Sequence, residues 1–244
     1  MGPPEIPRKG SSGSISVCED GGLLESPLAE GRDLVHEKVL PKGSKALLAW
    51  IDKNAATMFR EWTLAGGTGL ALWFGHRISE DFDFFCTEGM DLASMHRLFS
   101  RYGPYETLQE AENTLTVLLA GTKLSFFQIP DPFLFERVPY RTFFLADVRD
   151  IALMKLVAIS SRGSRKDFID LYTILRSGPM LSDLFDLLPK KYGPGRANVY
   201  HILKSLTYFA DAEREPMPTM LEPLDWKECK AFFVREAHAI VLPD

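Results

Sequence analysis

Cysteine is scarce in this 244-residue sequence: Cys18, Cys86 and Cys229 lie far apart, with no metal-ligand spacing and no paired framework. An odd, scattered set fits reduced thiols in a cytoplasm. There is no uninterrupted apolar run long enough to span a bilayer, and the N-terminus lacks the apolar core of a secretory signal. Surplus positive charge is missing too. A net charge of −5 argues against a chain-wide basic surface that would grip nucleic acid nonspecifically, though it leaves room for a local basic patch. No Gly-Lys-Ser/Thr phosphate loop, internal repeat or low-complexity core is present. The expectation is a cytoplasmic protein with no membrane association. With 45% hydrophobic and 25% charged residues it has the ordinary mix of a soluble globular chain.

Residues 1–39 stand apart. They are rich in Pro, Gly and Ser and read as a mobile or loosely docked tail, with order expected from near Leu40. "SKALLAWIDKNAATMFREW" then has helical spacing, with Ser44 as its expected cap. "TLAGG" reads as a short strand, "TGLALWFGHR" as a helix stopping at Gly75, and "DFDFF" as a strand. "DLASMHRLFSRYG" is an amphipathic helix ending at Gly103. "YETLQEAENTLTVLLAGTKLSFFQI" holds three strands, broken near Glu112–Asn113 and Gly121–Thr122. Two helices follow, terminated by Gly163 and Gly178, and the chain from Met180 onward is mostly helical with breaks at Gly193–Gly195 and Glu215–Pro223. The expected organisation is an α+β core over 40–146, a mixed sheet flanked by helices, and a helical module over 147–244 that completes the site.

Asp81 and Asp83 are the first chemical signal. At i and i+2 of a strand they share one face, roughly 7 Å apart, while Phe82 and Phe84 point into the core. Two ionised carboxylates at that spacing repel by about 2.4 kcal/mol at an effective dielectric near 20, but only about 0.6 kcal/mol in bulk water. A solvated pair is merely an acidic edge; a partly buried one needs a proton or a cation, and Mg²⁺ commonly takes one or two carboxylates together with substrate phosphates. The second signal lies just upstream. Gly66 and Gly67 let backbone N–H groups approach a ligand, and the helix start that follows carries unpaired donors. Thr68 either caps that helix or bonds a phosphate oxygen. One element would hold phosphates and the other the metal bridging them.

These residues resemble a known signature. Gly66-Gly67-Thr68 with Leu70, then Gly75-His76-Arg77, Ser79, Asp81-Phe82-Asp83 and Phe84-Phe85, are similar to the AbiEii/AbiGii toxin-type nucleotidyltransferases of the polymerase-β-like superfamily. "IALMKLVAISSRGSRKDFIDLY" resembles that family's later helical motif, with Lys155, Ala158, Arg162, Lys166-Asp167 and Asp170-Leu171-Tyr172. The resemblance covers about Leu40 to Ser177. It implies that Lys155 and Asp167 join Asp81 and Asp83 as catalytic residues, with Asp81 and Asp83 as the metal ligands. Gly66, Gly67, Thr68, Arg77, Ser79 and Arg162 would contact the nucleotide. Arg162 and Asp170 are alternatively a supporting ion pair, and His76 reads as structural. Many polymerase-β-like enzymes carry a third carboxylate on a later strand. Ser125 stands at that place here, so either Asp167 compensates, or one metal binds instead of two, or the chain is catalytically weak.

The resemblance therefore implies a nucleotidyltransferase dependent on Mg²⁺ or Mn²⁺ that moves an NMP from an NTP to a hydroxyl acceptor, a tRNA 3′ end or a protein side chain. It implies a toxin controlled by a cognate antitoxin. Lys190, Lys191 and Arg196 form a basic cluster in the helical half that is expected to shape the acceptor site. The competing reading is a non-catalytic nucleotide-binding or partner-binding module on the same scaffold, favoured by the missing third carboxylate.

Overall fold

A computed structural model describes residues 35–242 except 88 and 132. Most of residues 1–39 therefore lie outside the described residues. The rest of that segment, from Val35, is docked: Val39 and Leu40 are buried, and the His36 amide donates to the Leu72 carbonyl at 2.8 Å. Order thus begins before Leu40.

Helix α1 (Lys42–Asn54) starts at Pro41, whose φ of −57° already suits a helix. Ser44 is not its cap but a buried residue of its first turn. The long helical pattern breaks at Ala55 into a short α2 (Ala56–Phe59). Then come β1 (Thr63–Ala65), α3 (Gly66–Phe74), β2 (Phe82–Cys86) and α4 (Leu92–Tyr102). Gly75 closes α3 in the left-handed conformation, φ +67°. Strands β3 (Tyr105–Ala111), β4 (Thr114–Leu119) and β5 (Thr122–Gln128) fall where the turn residues predict them. Strands β6 (Val138–Tyr140) and β7 (Phe143–Leu145) are too short to show a period and are legible only in the structure. Helices α5 (Val148–Arg162), α6 (Arg165–Arg176), α7 (Leu181–Tyr192), α8 (Val199–Ser205) and α9 (Trp226–Ala239) complete the described chain.

The seven strands form one mixed sheet in the order β3-β4-β5-β2-β1-β7-β6. β1 is antiparallel to β2 and parallel to β7, and β2 is parallel to β5. The fold is α+β, a mixed sheet flanked by helices with a helical C-terminal half. Alternation along β2 is strict: Phe82, Phe84 and Cys86 are buried, Asp83 and Phe85 half-buried. Phe84 packs between Phe59 of α2, Phe126 of β5 and Phe143 of β7, with ring centroids 5.1–5.4 Å away. This aromatic packing anchors one face of β2 and so commits Asp83 to the other. On the far side α3 packs against α5 and α6, which brings the second motif to the first.

Candidate active site

The register of the sheet creates the site. Ala65, the last residue of β1, pairs with Asp83 of β2, so the glycine turn leaves the sheet beside the acid. Gly66 adopts φ +62°, and a Cβ there would lie 2.5 Å from Asp83 Oδ2. The space beside Gly67 is taken by the Arg77 guanidinium. The two glycines thus admit an acid and an arginine of the chain itself. Gly66→Ala combines a left-handed backbone cost of about 1–2 kcal/mol with that collision. We expect urea unfolding to register a loss of at least this size; an unchanged midpoint would mean that the turn does not need glycine.

Thr68 does not cap α3, which has no side-chain cap at its start. Its buried hydroxyl donates to the Asp81 backbone carbonyl and lies 2.7 Å from Ser79 Oγ. Thr68 and Ser79 therefore tie the loop before β2 to the first turn of α3. The N-cap of α3 is Ala65, which has no side chain to cap it, so among the described residues its first turn has no capping side chain of the usual kind. The start of α6, in contrast, is closed by Glu215, whose carboxylate accepts from the Arg165 amide at 2.8 Å and from Ser164 Oγ at 2.7 Å.

Behind the glycine turn lies a buried charge network. Asp170, fully enclosed, accepts from Arg77 Nε at 2.7 Å and Nη2 at 2.8 Å, and from Lys155 Nζ at 2.7 Å; it also lies 2.9 Å from His76 Nε2. Asp167 accepts from Lys155 Nζ at 2.8 Å and from the Arg162 fork at 2.7 and 2.9 Å. Burial alone would raise both carboxyls. Lys155 beside them, with Arg77 for Asp170 and Arg162 for Asp167, more than reverses this and holds both below the usual aspartate range, Asp170 well below. Burial would likewise pull the Lys155 ammonium down, but the two aspartates hold it above its ordinary value, so it is charged. Arg77 is raised in the same way by Asp170.

Asp83 differs. No hydrogen bond reaches its carboxylate from the described residues, and burial pushes it up despite the pull of Lys155 and Lys123. Asp81, one residue outside β2, is half-exposed and pairs with Lys123 Nζ at 2.9 Å. A cleft of about 650 Å³ collects these groups. Gly67, Thr68, Arg77, Ser79, Asp81, Asp83, Lys155, Arg162 and Asp167 all reach it, whereas Gly66 and Asp170 lie behind its wall. Its far side is the extended segment 215–219, held to the loop before β2 by the Ile78 amide on the Thr219 carbonyl at 2.9 Å.

Several features fall outside the sequence reading. Lys123 and the 215–219 wall need the register of β5 and the return of a distant loop. The basic cluster proposed for the acceptor does not form. Lys191 is buried and bonds Asp150 at 2.7 Å, and Arg196 pairs with Asp131, because α7 packs Lys191 inward. Asp167 offers no third ligand while both its oxygens accept from Lys155 and Arg162. Among the described residues no group of three or more His, Cys, Asp or Glu is gathered for a metal. Asp81 and Asp83 are two carboxylates on one cleft suited to a hard cation, the latter raised by burial and reached by no hydrogen bond from the described residues. Cys229 is buried, which pushes its thiol up to about 12 and excludes thiolate chemistry there. Among the described residues no helix is long and apolar enough to cross a membrane.

The family model described as "Nucleotidyl transferase AbiEii toxin, Type IV TA system" matches residues 53–143, from the end of α1 to β7. An uncharacterized protein of Aquifex aeolicus is 42% identical over 178 residues, 71% of this chain and 84% of that protein. Among solved structures, JHP933 from Helicobacter pylori is similar at 20% identity and TM-score 0.48, over 80% of this chain and 89% of its own. MenT4, a nucleotidyltransferase toxin from Mycobacterium tuberculosis, is similar at 16% identity and TM-score 0.43, over 80% and 83%. With the glycine turn and the acid pair on one cleft, residues 53–143 form a nucleotidyltransferase domain of the AbiEii toxin family.

Proposed function

We propose that the cleft transfers an NMP from a nucleoside triphosphate to a hydroxyl acceptor with the aid of one divalent cation, Mg²⁺ or Mn²⁺. The observation that carries this is the convergence on one cleft of Asp81, of Asp83, raised and without a donor among the described residues, and of the start of α3, whose N-cap Ala65 offers no capping side chain. Charge makes the cation necessary. Five cationic and five anionic side chains line the cleft, so its walls hold no surplus positive charge for a polyphosphate tail. Asp81 and Asp83 would hold the cation, which neutralises the acids and polarises the α-phosphorus.

The chain's own groups do the rest. The first-turn N–H groups of α3 at Gly67 and Thr68 face the phosphates. Lys155, charged and fixed by Asp167 and Asp170, presents its remaining proton to the departing pyrophosphate. Arg162 is forked onto Asp167 through Nε and Nη2 but two-thirds exposed, so its Nη1 would meet the nucleotide on the solvent side. Arg77 and Ser79 act as positioning residues, since the one is forked onto Asp170 and the other bonded to Thr68. The acceptor hydroxyl then attacks the α-phosphorus in line, its proton passing to one of the aspartates as the bond to pyrophosphate breaks. Residues 147–244 complete the site in this reading, a tRNA or a protein is the acceptor, and a cognate antitoxin controls the reaction.

Each of the four NTPs, labelled at the α-phosphate, is to be incubated with the protein, Mg²⁺ and either total tRNA or the protein alone. Label is expected on one acceptor with one preferred NTP, and none when the metal is chelated. No transfer to either acceptor would overturn the reading. NTP binding without turnover would favour a non-catalytic module, a reading for which the ion pair between Asp81 and Lys123 speaks.

A further inference from the structure

Across the sheet from the acid pair stands a cation. β5 runs parallel to β2 with Ser125 opposite Asp83, and Lys123, two residues earlier, lies on the same face. Lys123 Nζ is 2.9 Å from Asp81 Oδ2, and the two side chains are 41% and 47% exposed. The pair thus meets solvent at the cleft, where an ion pair exchanges partners readily. Ser125 and Phe127 continue that face of β5, so no acid approaches Asp81 and Asp83 from this strand. Charge sets the consequence. Two carboxylates and an ammonium leave one net negative charge, which a single divalent ion already exceeds; a second ion would meet a centre that is positive.

We propose that Lys123 supplies the second positive charge of this centre. It holds Asp81 while no divalent ion is bound, competes with that ion for Asp81, and restricts the acid pair to one ion. This role rests on the metal-dependent transfer proposed for the same cleft.

The test is a Mn²⁺ titration of the full chain without nucleotide, with unbound Mn²⁺ read by electron paramagnetic resonance. The wild type is expected to take one ion. Lys123→Met keeps the aliphatic stem and removes the charge; it should still take one ion, bound about tenfold tighter or more. Lys123→Glu adds a carboxylate and should take two. Asp83→Asn should abolish binding. Circular dichroism checks that the variants fold, as expected for a half-exposed position. If Lys123→Met binds Mn²⁺ as the wild type does, or the wild type takes two ions, while Asp83→Asn still abolishes binding, the role of Lys123 is overturned and the transfer reading stands. If neither the wild type nor Lys123→Met binds Mn²⁺, both are overturned.

Discussion

Asp170→Asn should destabilise the protein by roughly 3–5 kcal/mol, the cost of breaking a buried ion pair by removing one partner. For a chain of this length that corresponds to a fall in Tm on the order of 10 °C. Among the described residues Asp170 is the carboxylate that faces Arg77, Lys155 and His76 together, and it is fully enclosed. An amide in its place neutralises nothing and turns an N–H toward at least one buried donor. The pH dependence follows from the direction of the shifts. Asp170 and Asp167 are lowered in the fold, so their stabilisation is present above the ordinary aspartate value of about 4 and is lost as pH falls through the folded values. Lys155 is raised, so its share is present below its ordinary value and is lost as pH rises through the folded one. Urea unfolding of wild type and variant should therefore show a gap that is flat between about pH 5 and 9 and narrows below about 4. A variant within about 1 kcal/mol of wild type at pH 7 would show that Asp170 does not hold this cluster together.

That network also marks the limit of what the sequence can say. Helices α4, α5 and α6 and strands β3 to β5 were legible because their periods are long and their ends carry Gly103, Gly121, Gly163 and Gly178. The opposite faces of Phe82/Phe84 and Asp83/Phe85 were legible because a strand alternates strictly. Which strand lies beside β2 was not. The parallel pairing of Asp83 with Ser125 joins residues more than forty positions apart, so the ion pair of Asp81 with Lys123 has no local signature. The reach of Arg77 to Asp170, ninety-three residues on, was hidden in the same way. Lys191 shows the converse. By composition it belongs to an exposed basic cluster, but the packing of α7 carries it inward onto Asp150, which also accepts from the Leu134 and Phe135 amides. A charge run on a helix announces a surface only when no buried acid waits beneath it.

Asp83→Asn should behave in the opposite way to Asp170→Asn: activity goes and stability does not. Asp83 is half-buried beside Gly66 without a donor among the described residues, and burial raises its carboxyl. A carboxyl raised in the fold binds its proton more tightly folded than unfolded. It therefore favours the fold in acid, and that advantage disappears as pH rises from about 4 through the folded value. Relative to acid pH the carboxyl costs the fold stability at pH 7, so the isosteric amide should leave Tm unchanged or slightly higher there, while at pH 3 the two proteins should melt alike. With Mg²⁺ present the order should reverse, because only the wild type gains stability from a bound ion. Transfer of label from NTP should fall at least on the order of 100-fold, the scale on which even indirect metal supports act. A carboxyl that burial raises and that no hydrogen bond from the described residues reaches is the group expected to gain most from a bound cation. If Asp83→Asn instead melts well below the wild type without metal and keeps its transfer rate, Asp83 is a structural acid and the cation site must be sought elsewhere in the cleft.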